Sequence, residues 1–260
     1  MKLDHCYQGD CRAVMRNEWE SGIADGCITD PPYGDTSLEW DRRCDGWIAE
    51  VSRILKPTAS MWVFGSMRFL AGLFADMEAA GFRYAQDIVW EKQNGTGFHN
   101  DRFRRVHEHA VQFYRGQWGD IYKDPQYTMD AVAKAVRRKR RPAHFGAIGD
   151  GFFVSEDGGP RLMRSVIDVN NEHGKAVHPT QKPLGILAPL IAYSIPPGGL
   201  VIDPFMGSGS TGIAAAMLGR RWLGVELNPD YIAAQSERTR QTGLAFECAA
   251  AAIGESDDRS

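Results

Sequence analysis

The residues Thr29-Asp30-Pro31-Pro32-Tyr33-Gly34 place a carboxylate, two prolines, an aromatic ring and a glycine at the end of a short apolar run, Gly26 to Thr29. Taken alone, the segment is either an ordinary tight turn or a ligand site. Its position at the C-terminal end of a strand, where open α/β sheets bind ligands, favours the site. The chemistry it suits is substitution at an amino group attached to an aromatic ring. Such a nitrogen is a poor nucleophile because its lone pair is delocalised into the ring. Two acceptors that take hydrogen bonds from the NH2 group draw it toward tetrahedral geometry. Asp30 would supply one and the carbonyl of Pro31 the other, while Pro31 and Pro32 fix φ and pre-aim the turn. Tyr33 would stack on the ring, and the Asp30 carboxylate would offset positive charge developing on nitrogen.

A second constellation lies far along the chain. The run Leu200 to Asp203 is an apolar strand, and Pro204-Phe205-Met206-Gly207-Ser208-Gly209-Ser210-Thr211-Gly212 leads from it into a helix of small residues. Gly207, Gly209 and Gly212 fit the G-x-G-x-x-G spacing, and Glu226 closes the next strand 17 residues after Gly209. Glycines let the backbone approach a nucleotide-like ligand, amides at the helix start hold its polar end, and the acid takes a ribose diol. Dehydrogenases and methyltransferases both use such a unit. A Rossmann dehydrogenase usually follows it with a catalytic domain, and only about 35 residues follow Glu226 here. The loop also lacks the Gly-Lys-Ser/Thr of a P-loop, which argues against nucleoside triphosphates.

The elements around these motifs alternate. Helical spacing over Trp47–Leu55 and Phe69–Ala80 separates strands at Gly26–Thr29, Ser60–Phe64 and Tyr84–Trp90, and His109–Tyr114 gives one more strand. Near the C-terminus, helices at Leu184–Ser194, Thr211–Leu218 and Pro229–Arg240 alternate with strands Leu200–Asp203 and Trp222–Glu226. This βαβ rhythm predicts an α/β fold with a mostly parallel sheet. From Arg115 to Lys175 the chain reads as irregular. The expected organisation is a catalytic domain in two parts, 1–91 and 176–248, with an insertion at 92–175 from which His107–Tyr114 returns to the sheet, and a flexible tail at 249–260.

Composition narrows the class. At 260 residues the chain holds one large domain plus an inserted module, not two enzyme domains. No apolar run approaches a membrane span, and the first ten residues do not read as a signal peptide. Five cysteines, none in a C-x-x-C pair, suggest neither a disulfide framework nor a metal site, so a reducing cytoplasm is expected and no metal. The net charge of -3 conceals an asymmetry: Lys92 to Lys175 holds 15 Lys/Arg against 10 Asp/Glu, leaving 15 against 23 elsewhere. A basic middle in an acidic frame fits either a polyanion-binding segment or a solvated surface. The run Arg137-Arg138-Lys139-Arg140-Arg141 has the same two readings, phosphate contact or solvated patch. Tyr122, Tyr127 and Phe145 read as local core before they read as stacking residues.

The Asp30–Tyr33 block resembles that of the amino-group DNA methyltransferases, in the permuted β class where it precedes the cofactor loop. Gly9-Asp10-Cys11 is similar to the family's GDC turn. His178-Pro179-Thr180-Gln181-Lys182-Pro183 is similar to its HPTQKP segment, Asp203 to Thr211 to its DPFxGSGST loop, and Gly224-Val225-Glu226-Leu227-Asn228 to its ribose site. Trp90-Glu91-Lys92 and His107-Glu108 also look like family positions. The resemblance covers roughly residues 1–114 and 176–240. It implies a Rossmann-like S-adenosylmethionine methyltransferase fold, a seven-stranded sheet with one antiparallel strand, and a target-recognition region in the basic insertion.

It further implies Asp10, Cys11, Asp30, His178, Thr180, Lys182, Asp203, Phe205, Gly207, Ser208, Gly209, Ser210, Thr211, Glu226 and Asn228 around S-adenosylmethionine, with Asp30, Pro31, Pro32 and Tyr33 at the reacting base. Asp rather than Ser or Thr at the first position favours adenine N6 over cytosine N4. The implied reaction is base flipping in duplex DNA followed by direct methyl transfer. Arg102, Arg104 and Arg105 are suited to guanine edges, and the Arg137–Arg141 run to phosphates. A homodimer is implied as well, with the apolar stripes on helices Trp47–Leu55 and Phe69–Ala80 as the only hint in the residues themselves. An RNA or nucleoside methyltransferase, an NAD dehydrogenase and a non-catalytic DNA-binding protein stand as rival readings. Gly34-Asp35 departs from the family's commoner DPPYN.

Overall fold

A computed structural model of the chain describes residues 1–35, 41–96, 100–138, 151–170 and 181–238. Its centre is an eight-stranded sheet. In chain order the elements are β1 (His5–Gln8), α1 (Cys11–Glu18), β2 (Ala24–Thr29), α2 (Trp47–Ile54), β3 (Leu55–Gly65), α3 (Met67–Ala79), β4 (Arg83–Thr96) and β5 (Arg105–Tyr114). Four short strands follow: β6 (Tyr127–Thr128), β7 (Lys134–Arg138), β8 (Gly151–Ser155) and β9 (Arg161–Leu162). The chain then runs through β10 (Val166–Asp168), α4 (Leu184–Ser194), β11 (Leu200–Asp203), α5 (Ser210–Met217) and β12 (Arg221–Glu226), and residues 229–238 are helical.

Strand order in the sheet is β1-β12-β11-β2-β3-β5-β4-β10. Only β5 runs antiparallel to its neighbours, β3 and β4. The expected seven strands are present, and β10 corrects the count to eight by pairing parallel to β4. The alternation in the sequence has its physical counterpart. In β3, Met61 and Val63 face one core, packed with α2 and α3. Trp62 and Phe64 are equally buried, and the Trp62 ring meets Tyr193 of α4 edge-on at 6.3 Å. Helices thus cover both faces, as burial on both sides of a strand requires.

Local signals start and stop the helices. Asp10 caps α1, its carboxylate accepting the Arg12 and Ala13 amides. Ser66 caps α3 through the Phe69 amide. Gly212 lies where α5 crosses β12, and a Cβ there would come within 2.9 Å of the Trp222 ring. The third glycine of the loop therefore permits close helix–strand packing.

The apolar stripes of α2 and α3 are core of this chain. Trp47, Ile48, Val51, Ile54, Phe69, Leu70, Leu73 and Met77 all join one buried cluster, while Phe74 of α3 stays exposed. No helix among the described residues is long and apolar enough to cross a membrane.

Residues Pro125–Arg164 form a second compact unit. It is narrower than the insertion expected at 92–175, because β4 continues to Thr96 and β10 belongs to the main sheet. It is also less irregular than expected, holding two antiparallel ribbons, β6 with β9 and β7 with β8. Phe152 and Phe153 of β8 are exposed, as is Tyr127, which is not core.

Candidate active site

The topology itself creates a crevice. From β11 the chain passes through α5 to β12 on one side, and from β2 through α2 to β3 on the other. The C-terminal ends of the adjacent strands β11 and β2 are therefore left open between diverging connections, where open α/β sheets bind ligands. A cavity of about 410 Å³ lies there, within the range of small-molecule sites.

One wall is the glycine loop. Phe205, Gly207, Ser208, Ser210 and Thr211 line the cavity, with Asp203 at the strand end. Gly209 does not line it but caps α5 in the left-handed region, φ 78°. Asp203 is buried and ties the wall together. It accepts the Thr211 hydroxyl at 2.7 Å, the Thr29 hydroxyl at 2.8 Å and the Phe205 amide at 3.1 Å. Burial lifts its carboxyl to about 6 against these three donors.

A second wall is the end of β12. Glu226 accepts the Gly207 amide and the Asn228 amide, each at 2.8 Å, so the acid and the glycine loop pre-form one rim. Asp10 and Cys11 close the adjoining side. The Asp10 carboxylate is engaged by Arg12 as well as by the helix cap, and the Arg12 guanidinium holds its pKa down at about 2.

The third wall is the Asp30 block. Asp30 and Pro32 line the cavity, and the Asp30 side chain keeps 20% of its surface exposed. Tyr33 donates its hydroxyl to Asp30, while its ring packs on Phe69 at 5.2 Å. Burial, with Asp30 and Glu108 nearby, pushes the Tyr33 phenol well up, so it stays a donor. Tyr33 is half-buried and does not line this cavity; its hydroxyl is engaged by Asp30 and its ring touches Phe69. Pro31 is buried beneath the turn and does not line the cavity either. The unusual Gly34-Asp35 pair has a local reason. Gly34 sits at φ 72°, a conformation glycine and asparagine favour, and Asp35 accepts the hydroxyl of the α3 cap Ser66.

Lys182 lines the cavity, but its ammonium is turned to protein carboxylates. It pairs with Asp30 and lies 3.5 Å from Glu108 of β5. Burial alone would lower the Lys182 pKa, yet Asp30 and Glu108 hold it above the ordinary lysine value. Burial raises the Asp30 carboxyl, Lys182 pulls it back, Glu108 adds to the rise, and the net is upward.

Sequence reasoning missed Arg42, Leu187 and Tyr231, which also line the cavity. Arg42 follows the Asp30 block without any motif of its own. Tyr231 lies early in the last helix, where its spacing reads as ordinary amphipathic pattern. His178, Thr180, Lys139, Arg140, Arg141 and Phe145 lie outside the described residues, as does the tail at 249–260. Arg102 is exposed and paired with Asp101. Arg104 and Arg105 are exposed at the approach to β5, and Arg137 is exposed on β7, where Arg138 follows it.

A sheet with this switch point, a glycine loop braced by an acid, and an amine-acceptor turn on the same crevice define the Rossmann-like methyltransferase class. Residues 24–237 match the family model for N6/N4 DNA methylases (N6_N4_Mtase: DNA methylase), and the chain belongs to that family. The type II methyltransferase M.HinfI of Haemophilus influenzae is 30% identical over 266 residues, spanning 92% of this chain and 69% of that protein. The M1.HpyAVI–SAM complex superposes with a TM-score of 0.62 at 24% identity, covering 90% of this chain and 98% of that one. PvuII DNA methyltransferase, cytosine-N4-specific, gives a TM-score of 0.64 at 18% identity, with coverages of 91% and 90%.

The cofactor of this family is S-adenosylmethionine, and the lining suits it: an acid braced against loop amides, an apolar flank at Phe205 and Leu187, and the Asp30 carboxylate on the same cavity.

Proposed function

We propose that the chain methylates the N6 amino group of an adenine flipped out of duplex DNA, at a specific sequence. The observation that carries this reading is the position of Asp30. It follows β2 beside the glycine-loop strand, is partly exposed to the cofactor cavity, and is held by Tyr33 and Lys182. Asp rather than Ser or Thr at this position is what favours adenine over cytosine.

Bound in the cavity, S-adenosylmethionine supplies an electrophilic methyl group on sulfur. Asp30 accepts one hydrogen of the target amine and the Pro31 carbonyl accepts the other, which restores nucleophilic character to the nitrogen. The nitrogen would take the methyl group as the sulfur leaves as a neutral thioether, and Asp30 is placed to receive the proton that the methylated amine then gives up. Preorganised acceptors of this kind act where charge develops. The cost of flipping, a few kcal/mol, is offset by contacts in the pocket.

Asp10, Cys11, Phe205, Gly207, Ser208, Ser210, Thr211, Glu226 and Asn228 are assigned to the cofactor, with Asp203 and Gly209 shaping the loop behind them; His178 and Thr180, outside the described residues, are assigned to it through the family resemblance alone. The basic residues of the second unit, with Arg102, Arg104 and Arg105, are assigned to DNA. A homodimer on a two-fold-related site belongs to this reading through the family resemblance, as does the cytoplasm, where the free thiols Cys6, Cys11, Cys27 and Cys44 would stay reduced.

Mass spectrometry of nucleosides from DNA methylated by the purified protein tests the reading. N6-methyladenine is expected; N4-methylcytosine as the only product would overturn the base assignment.

A further inference from the structure

The Asp30 pair does not end at Lys182. Lys182 also faces Glu108 on β5 at 3.5 Å, and Glu108 is held in turn by Lys92 of β4 at 3.1 Å. The four groups make an alternating chain, Lys92–Glu108–Lys182–Asp30, that reaches from the β4 side of the sheet to the cofactor cavity. Lys182 and Glu108 keep only 8% and 9% of their side-chain surface, whereas Lys92 keeps 23%. Buried ion pairs are weak devices for stability, because desolvation can exceed the Coulombic gain and apolar replacements often do as well. A row of four charges, mostly buried and ending on the cavity, therefore calls for a different reason.

We infer that Glu108 is a positioning residue for methyl transfer, acting through Lys182 to hold the Asp30 carboxylate aimed at the target amine, with Lys92 steadying Glu108. The inference rests on the role of Asp30 given above. The Lys182 ammonium meets Asp30 at Oδ2, and the Tyr33 hydroxyl meets it at Oδ1. The carboxylate is fixed between these two donors, and each oxygen keeps further acceptor capacity for an amine. Glu108 anchors the ammonium from behind, so Lys182 holds its place rather than following Asp30. This role moves Lys182 from the cofactor to the reacting end of the site. The other titratable groups around Asp30 and Glu108 are Tyr33 on the Asp30 loop, Arg105 at the start of β5, and Asp203 on β11. Beyond burial, the influences on the Asp30 carboxyl agree with this chain: Lys182 lowers it and Glu108 raises it.

Opposite signs give a test that a merely structural role would not pass. Single-turnover methylation rates are measured across pH for the wild type, Glu108→Gln, Lys182→Met, Lys182→Arg and Asp30→Ala, with S-adenosylmethionine affinity measured alongside by calorimetry. Glu108→Gln is expected to slow the chemical step by roughly ten- to a hundredfold with cofactor affinity unchanged. Its acid limb should move to lower pH, that of Lys182→Met should move to higher pH, and Lys182→Arg should recover part of the rate. Lys92→Met, at the more exposed end, should slow the chemical step and move the limb without opening the buried pair, which keeps the test available if Glu108→Gln does not fold. A wild-type rate and pH profile in both Glu108→Gln and Lys92→Met would overturn the inference, as would a loss confined to cofactor affinity. Asp30→Ala separates the two levels: if it is inactive while Glu108→Gln and Lys92→Met are normal, only the positioning chain fails. If Asp30→Ala itself is fully active, the underlying reading fails.

Discussion

The Thr29 hydroxyl donates to the Asp203 carboxylate at 2.8 Å, joining two strands whose residues are 174 positions apart in sequence. This one bond couples the last residue of the strand that leads to Asp30 with the last residue of the strand that leads to the glycine loop. The Asp30 turn and the glycine loop are thereby held in fixed register by β2 and β11, which are also neighbours in the sheet. The bond also carries an electrostatic cost, because Asp203 is buried.

That cost is measurable. Burial lifts the Asp203 carboxyl to about 6 from an ordinary 3.8, so the folded chain keeps a proton there that the unfolded chain releases. Stability from this group is present below pH 4 or so and is lost as pH rises through about 6. Asp203→Asn removes the titration. Relative to the wild type, the variant should gain about 3 kcal/mol between pH 4 and pH 7, read by chemical denaturation. Parallel stability curves for the two proteins would contradict this.

Much of this arrangement is legible in the sequence because burial leaves a period. Gly26–Thr29, Trp47–Leu55, Leu184–Ser194 and Leu200–Asp203 are legible to within two residues, since each is apolar on every side or at helical spacing. β1 and α1 are not: β1 is four residues with two polar members, and Asp10 looks like a turn acid until its capping bonds are seen. The ribbon of β7 and β8 shows no alternation, because β8 is exposed along nearly its whole length and its apolar run Phe152-Phe153-Val154 has no polar partner face to set a period. The turning of Lys182 toward Asp30 and Glu108 is equally hidden. It depends on contacts with residues 152 and 74 positions away, and a motif match assigns a lysine to a site without saying which group its ammonium meets.

Glu226 braces the glycine loop through the Gly207 amide and faces the cavity. Glu226→Ala should weaken S-adenosylmethionine binding by roughly ten- to a hundredfold, the worth of a hydrogen bond to a charged group, with circular dichroism unchanged. Wild-type affinity in calorimetry would remove Glu226 from the site.

Gly212 allows α5 to lie on β12. A single methyl group added there meets the Trp222 ring at 2.9 Å, a rigid neighbour that cannot swing aside. Gly212→Ala should cost about 1–3 kcal/mol of stability, visible as a lower melting temperature. An unchanged melt would show that the helix can lift without penalty.

The run Arg137 to Arg141 should set affinity for DNA more than sequence preference. Replacing its basic residues with glutamine should make the log–log salt dependence of binding shallower by about 0.9 for every phosphate the run neutralises. An unchanged slope would return the run to a solvated surface.

In the proposed reaction Asp30 acts on the target amine and not on the cofactor. The direct measurement is the single-turnover rate of methyl transfer by Asp30→Ala, taken with S-adenosylmethionine and DNA affinities of the same preparation. The rate should fall by roughly a hundredfold or more while both affinities stay near those of the wild type. A wild-type rate, or a loss of cofactor affinity large enough to explain the slower reaction, would contradict it.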